Sequence, residues 1–126
     1  MEKKIINTIH APAPIGPYSQ AVLSNGTLYV SGQIALHPVS GELVMASIEE
    51  ETTQVMTNLK AILTEAGYSF ADIVKTTIFL MDMGQFAAVN AVYSQYFESN
   101  FPARETVQVA GLPKGVHVEI SVIATK

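Results

Sequence analysis

The stretch FPARETVQVAGLPKGVHVEI, residues 101–120, decides how this chain folds. Polar residues alternate with β-branched ones over 105–109 and again over 116–124. Such alternation predicts two strands that each bury one face. Two glycines and a proline lie between them and predict a turn-rich connection. These two strands provide the framework for a candidate site.

Two charged residues of this stretch are candidates for an active site. Arg104 is expected at the entrance of the first strand, just after Pro102. A guanidinium is planar and can bind a carboxylate through two parallel hydrogen bonds. Glu119 is expected inside the second strand, between Val118 and Ile120, where burial would disfavour its charged form. The pair could anchor a small anion and transfer a proton.

The composition limits the class of protein. A chain of 126 residues with 48% apolar residues fits one domain, 1–126, with its own core. The net charge of −4, without a basic run, argues against nucleic acid as a partner. No apolar run is long enough for a membrane span or a secretion signal. Because there is also no cysteine, we expect a soluble, cytoplasmic protein.

Two helices are predicted between the strands. Ser47 and Glu50 form a capping-box pattern, and small or apolar residues then recur at helical spacing. We expect an amphipathic helix over 48–66. The glutamates at 49–51 are interpreted as a solvated first turn that complements the helix dipole. A second helix, with one aromatic and apolar side, is expected over 85–98.

The first half of the chain contains shorter signals. Further strands are predicted at 4–7, 20–23, 27–33 and 73–81. Asn25-Gly26 predicts a hairpin turn, and the prolines of 11–18 predict a rigid extended loop that presents Tyr18. Ser31-Gly32 breaks a strand, which is equally consistent with a bulge and with close approach of a ligand.

The order of these elements predicts an α/β fold, in which two helices cover one face of a mixed sheet. The other face is expected to carry apolar residues such as Val107, Val109 and Val122 or their neighbours. Left in water, it would form a large apolar patch. We therefore expect the protein to oligomerise through this face, with Arg104 and Glu119 bordering clefts between subunits.

Several separated motifs resemble the RidA/YjgF family, and together they cover nearly the whole chain. The motifs are APAPIGPYSQ at 11–20, YVSGQ at 29–33, NAVY at 90–93, FPAR at 101–104, VQVAGLP at 107–113 and VEI at 118–120. The resemblance implies a chorismate-mutase-like fold packed as a homotrimer. It also implies imine and enamine deaminase activity.

The resemblance further implies a reaction and a set of site residues. A short 2-imino or 2-enamino acid would be hydrolysed to a 2-keto acid and ammonia, without a metal or organic cofactor. Arg104 would hold the substrate carboxylate, and Glu119 would act through a water as general acid or base. The other residues expected to bind substrate are Tyr18, Ser31, Gly32, Asn90 and Thr106.

Two residues depart from the family's pattern. Thr106 stands where many relatives carry cysteine, which excludes a thiol mechanism. Glu105 stands where a small residue is usual, although strand alternation should point it away from Arg104. An ion pair between Glu105 and Arg104 would compete with substrate for the cation.

Other interpretations of the same residues stay open. Arg104 could form a structural salt bridge at a subunit contact, and Glu119 could be a buried structural carboxyl with backbone partners. His117 and Glu119 are spaced as metal ligands sometimes are, but no third ligand accompanies them, so no metal is expected. The clefts could also serve a non-catalytic module that binds small carboxylates or apolar ligands. RNA cleavage is a third possibility, against which the acidic balance argues.

Overall fold

Six strands form one mixed sheet in the computed structural model, which describes residues 2–126. The strands are β1 (Lys3–Ile6), β2 (Ala21–Ser24), β3 (Thr27–Gln33), β4 (Ile73–Leu80), β5 (Ala103–Gln108) and β6 (Val118–Thr125). The helices are α1 (Ile48–Glu65) and α2 (Phe86–Ser94). The order across the sheet is β1-β2-β3-β6-β4-β5. The pair β4 and β5 is parallel, and the other neighbouring pairs are antiparallel.

The predicted mixed sheet with both helices against one face is confirmed. Strand β6 lies between β3 and β4, and β4 lies between β6 and β5, so the last two strands do not pair with each other. The second helix ends at Ser94 rather than at 98, because the amides of residues 95–97 bond three residues back and tighten the chain into turns. Neither helix of the described chain is long and apolar enough to cross a membrane.

Helix α1 begins as the capping pattern predicts, but one of its glutamates is not solvated. The Ser47 hydroxyl accepts a hydrogen bond from the Glu50 amide at 3.1 Å. Glu51, however, is completely buried. Its carboxylate accepts from the backbone N–H groups of His117 at 2.7 Å and Val118 at 3.2 Å, and it lies 2.8 Å from His117 Nδ1. The carboxylate therefore joins the start of α1 to the start of β6.

The sheet has one buried face and one open face. The buried face lies under the helices and carries, among others, Leu28, Val30, Ile78, Ile120 and Val122. The alternate residues on the open face include Tyr29, Phe79, Val107, Ile123 and Ile5. These apolar side chains are half-buried or exposed, so part of the solvent-accessible surface of the open face is apolar.

Of the three residues named for the open face, two lie elsewhere, and the neighbour Ile123 stands there in place of Val122. Val122 is only 3% exposed, because it alternates in register with the helix-facing residues of β6. Val109 lies beyond the end of β5. Only Val107 lies on the open face, as predicted.

The turn and the break in the first hairpin form as predicted. Asn25 and Gly26 have φ values of 54° and 80°, which is the left-handed backbone that a tight hairpin turn needs. The register between β3 and β6 then shifts between Val30 and Gln33. Ser31 and Gly32 lie inside this shift, so the strand bends at these two residues.

The proline-rich loop is held by one buried amide side chain. Gln20 is 1% exposed, and its Oε1 accepts from the Thr8 amide at 2.7 Å. Its Nε2 donates to the carbonyl oxygens of Thr8 at 3.0 Å and Pro12 at 2.9 Å. Because these bonds satisfy buried backbone groups, they fix the path of the loop that leads to Tyr18.

Candidate functional site

Arg104 lies one residue inside β5 and points toward helix α2. Its Nη1 donates a hydrogen bond to Asn90 Oδ1 at 2.6 Å. The guanidinium carbon is 5.1 Å from the centre of the Tyr93 ring and 5.6 Å from that of Phe86. Within residues 2–126, this side chain has no other hydrogen bond and no ion pair. The remaining N–H groups are available to a ligand.

The neighbouring glutamate does not compete for this cation. Glu105 points to the other face of β5, as strand alternation predicts. Its carboxylate pairs with Lys75 Nζ at 3.2 Å, and both side chains are substantially exposed. The ion pair between Glu105 and Arg104 that would block a substrate is therefore absent.

A cavity of about 280 Å³ opens beside Arg104. That volume corresponds to roughly nine water molecules, which is enough for a short carboxylic acid. Its lining residues are Asn90, Tyr93, Ser94, Phe101, Pro102 and Arg104. A guanidinium with unused donors therefore faces a space of suitable size for a small anion.

Tyr93 forms the wall of this cavity next to Arg104. Its hydroxyl donates to Thr76 Oγ1 on β4 at 2.9 Å. Burial raises the pKa of Tyr93, and the hydrogen bond to Thr76 and the charge of Arg104 only partly oppose this effect. The phenol is therefore neutral near neutral pH and keeps the proton that it donates.

Thr106 faces the same side of β5 as Arg104, two residues further along the strand. Its buried Oγ1 has no hydrogen-bond partner within residues 2–126, and the same holds for Gln85 Oε1 near the start of α2. Buried polar atoms are nearly always paired in native proteins, so each exception needs a reason.

Glu119 occupies the opposite face of the sheet. It lies in β6 between the buried residues Val118 and Ile120, and its carboxyl group packs against Gly32 of β3. A Cβ atom on Gly32 would lie 2.8 Å from Glu119 Cδ. Burial raises the pKa of Glu119, as expected from the apolar strand around it. The carboxyl group has no hydrogen-bond partner among the described residues.

Ser31 links the Glu119 region to the loop that carries Tyr18. The Ser31 hydroxyl donates to the Ser19 carbonyl oxygen at 2.6 Å, and the Ser31 amide donates to the Gln20 carbonyl oxygen at 2.9 Å. Tyr18 directly precedes this contact and is 48% exposed. The bend in β3 and the proline-rich loop are therefore neighbours.

The structure divides the predicted site residues into two groups. Arg104 pairs in register with Thr76, whose side chain is buried beneath the helices. Glu119 pairs with Phe79, which lies on the open face. The helix-side group is Arg104, Asn90 and Thr106, and the open-face group is Ser31, Gly32 and Glu119. Tyr18 lies in the loop whose next residue, Ser19, bonds to Ser31. One chain alone does not bring Arg104 and Glu119 together.

The possible metal pair is also separated. His117 precedes β6 and contacts Glu51 instead of lying beside Glu119. Across residues 2–126, no group of three or more His, Asp or Glu side chains is arranged to hold a metal ion.

Comparison with known proteins places the chain among curated relatives that it matches almost end to end. The 2-iminobutanoate/2-iminopropanoate deaminase of Homo sapiens is 51% identical over 97% of this chain and 89% of its own length. The protein of the same name from Capra hircus is 53% identical over 98% of this chain and 90% of its own length.

Solved structures agree with these relatives. YyfA from Yersinia pestis, of the conserved Rid protein family, has a TM-score of 0.96 and 50% identity, and the match covers 99% of this chain and 100% of that one. E. coli TdcF with bound serine has a TM-score of 0.93 and 43% identity over 98% of each chain. A family model described as Endoribonuclease L-PSP matches residues 8–126. As its motifs predicted, the chain belongs to this family, that of the RidA/YjgF proteins.

Proposed function

We propose that this protein hydrolyses short-chain 2-imino and 2-enamino acids to 2-keto acids and ammonia. The observation that carries the proposal is Arg104, which has unused donors beside a cavity of suitable size. The relatives named 2-iminobutanoate/2-iminopropanoate deaminase support the same reaction, because they match nearly the whole chain. The absence of cysteine is consistent with a cytoplasmic location.

In this mechanism, Arg104 binds the substrate carboxylate through two hydrogen bonds and fixes the neighbouring imine carbon. Water adds to that carbon, and a proton passes to the imine nitrogen to give a carbinolamine. The carbon–nitrogen bond then breaks, and ammonia leaves as the 2-keto acid forms. Glu119, whose pKa is raised by burial, accepts a proton from the water and returns it to the nitrogen.

Because Arg104 and Glu119 project from opposite faces of the sheet, the complete site is proposed to form between subunits of a homotrimer. One subunit supplies Arg104, Asn90 and Thr106. A second copy supplies Tyr18, Ser31, Gly32 and Glu119. The apolar residues of the open face, including Tyr29 and Phe79, provide the surface through which the copies assemble.

Replacing Arg104 tests the enzyme proposal directly. A threonine dehydratase generates the imine in solution, and ammonia and keto acid are measured with and without the protein. Loss of two charge-assisted hydrogen bonds predicts a decrease in kcat/KM of about 100-fold or more for Arg104→Ala. Lys60→Ala removes an exposed cation from α1 and serves as the control. An unchanged rate for Arg104→Ala would refute the proposal.

Mixing two inactive variants tests the shared site. Arg104→Ala and Glu119→Gln subunits are combined under conditions that allow exchange, and exchange is checked by mass spectrometry. Random mixing into trimers restores both groups at roughly a quarter of the contacts, so activity should return to about that fraction. If exchange occurs and no activity returns, the site is not shared between subunits, although the parent protein can still be a deaminase.

Two other functions predict different results in the same assays. A non-catalytic binding module would bind 2-ketobutyrate in calorimetry without accelerating ammonia release. An endoribonuclease, as the description of the family model names it, would cleave RNA at a rate that survives repeated purification. The net charge of −4 opposes binding to a polyanion, so we expect any such cleavage to disappear on purification.

A further inference from the structure

Three residues of α2 are spaced so that all of them contact the Arg104 side chain of β5. Phe86, Asn90 and Tyr93 are four and three residues apart, so they lie in one stripe along the helix. All three contact the guanidinium of Arg104. Because α2 contains only nine residues, this stripe runs along almost its whole length.

Two aromatic rings of α2 lie close to the guanidinium. Seven residues of helix rise by about 10.5 Å, and the ring-to-cation distances are 5.6 Å for Phe86 and 5.1 Å for Tyr93. Both distances are within the range of a cation–π contact. Asn90, between them in sequence, accepts a hydrogen bond from Nη1. One nitrogen of the guanidinium is thus occupied, and its other N–H groups have no partner among residues 2–126.

The Tyr93 ring is itself fixed to the sheet. Its hydroxyl donates to Thr76 Oγ1 at 2.9 Å, and Thr76 is the register partner of Arg104 on the neighbouring strand. Arg104, Tyr93 and Thr76 therefore form a closed set of contacts: Arg104 contacts Tyr93, Tyr93 bonds to Thr76, and Thr76 pairs with Arg104 across β4 and β5. Such a closed arrangement restricts the rotation of a long side chain that would otherwise sample many rotamers.

We propose that Phe86, Asn90 and Tyr93 are positioning residues, which together hold the Arg104 guanidinium with one edge presented for a carboxylate. The inference rests on the proposed function only in that Arg104 is the group that binds the substrate anion. A lysine at 104 keeps the charge, but it offers no planar group for the rings to hold in orientation. The three residues therefore explain why arginine is required here.

The sequence makes this arrangement unusually accessible to spectroscopy, because Arg104 is the only arginine in the chain. Arginine-selective ¹⁵N labelling of the assembled protein gives one guanidinium. Restricted rotation should resolve its Nη1 and Nη2 protons into separate signals in the parent. Asn90→Ala, which favours the helix, should merge them into an averaged signal. Gln95→Ala removes an exposed amide further along the same chain and should leave them resolved.

Affinity for 2-ketobutyrate provides the second readout, with calorimetry as the assay. Loss of a charge-assisted hydrogen bond predicts about 10-fold weaker binding for Asn90→Ala, together with a raised KM and a smaller change in kcat. Tyr93→Phe keeps the ring and loses the bond to Thr76, so a smaller weakening of about 3-fold is expected. In an Arg104→Lys background, both substitutions should have little further effect, since their action passes through the guanidinium.

Averaged guanidinium signals in the parent, or unchanged signals and affinity in Asn90→Ala, would overturn the inference. Equal losses of affinity with arginine and with lysine at 104 would also overturn it, since Asn90 would then act directly on the ligand or through the fold. These results differ from failure of the proposed function, in which Arg104→Ala itself leaves turnover unchanged.

Discussion

Replacing Gly32 by alanine should displace the Glu119 carboxyl group while leaving a glutamate at residue 119. A Cβ atom at residue 32 would lie 2.8 Å from Glu119 Cδ, 2.9 Å from Oε2 and 3.0 Å from Cγ. Carbon contacts are normally about 3.5–4.0 Å, so the carboxyl group must move by roughly 0.5–1 Å. The backbone of Gly32 is not in the left-handed region, so alanine introduces no strain of its own.

The expected effect falls on catalysis more than on stability. The displaced atoms are the far end of a flexible side chain, so the free energy of unfolding should fall by about 1 kcal/mol, the low end for overpacking. A catalytic group misplaced by about 1 Å can lose up to 100-fold in rate. We therefore expect kcat for imine hydrolysis to fall by about 10- to 100-fold, with the affinity for 2-ketobutyrate nearly unchanged.

The assay is ammonia release from imine generated in situ, with urea unfolding as the measure of stability. Gly111→Ala is the matched control, because a Cβ atom there meets nothing within 4 Å and the backbone is again compatible with alanine. A folded Gly32→Ala protein with parental kcat would show that the position of Glu119 does not matter to the reaction. Equal losses in both glycine variants would point to a general effect on the fold.

Three further predictions concern buried polar groups. Gln20→Glu replaces the amide that donates to the carbonyl oxygens of Thr8 and Pro12 by a group that can only accept when ionised. The free energy of unfolding should fall by about 1–3 kcal/mol, which lowers the urea midpoint by roughly 1 M. An unchanged midpoint would contradict this role for Gln20. Thr106→Val removes a buried hydroxyl that has no partner among residues 2–126, so the free energy of unfolding should rise by about 1 kcal/mol. A decrease would show that the Thr106 hydroxyl forms a stabilising hydrogen bond in the assembled protein. Because the pKa of Glu119 is raised in the folded state, its contribution to stability is fully present below the ordinary value of 4.5 and is lost as pH rises through the raised pKa. The stability of Glu119→Gln relative to the parent, measured by urea unfolding, should therefore increase with pH over that window. A difference that does not change with pH would contradict this prediction.

Much of the fold could be predicted because its signals are local. The cap at Ser47, the turn at Asn25-Gly26 and the alternation in β6 each depend on a few neighbouring residues, and all appear in the structure. The insertion of β6 between β3 and β4 depends on pairing between distant segments, which no local pattern encodes. The burial of Glu51 was predictable in principle, since it lies four residues before Val55 on the apolar face of α1.

The candidate site was only partly predictable for the same reason. Strand alternation correctly predicted that Arg104 and Glu105 point to different faces of β5. The apolar neighbours of Glu119 correctly indicated that its pKa is raised. That Arg104 and Glu119 occupy different faces depends on the register that each strand makes with β4. The partner of Arg104 on α2 could be suspected, because Asn90 is a poor helix former in the middle of a helix.

The position of β6 has a consequence for how the polypeptide reaches this structure. During synthesis, β3 and β4 leave the ribosome before the strand that must lie between them, so each presents an unpaired edge to the cell. The buried carboxylate at residue 51 is likewise left without its amide donors until residues 117 and 118 arrive. Nascent chains of this protein should therefore be most vulnerable to aggregation just before that strand emerges, and a holdase that covers strand edges would help most at that moment.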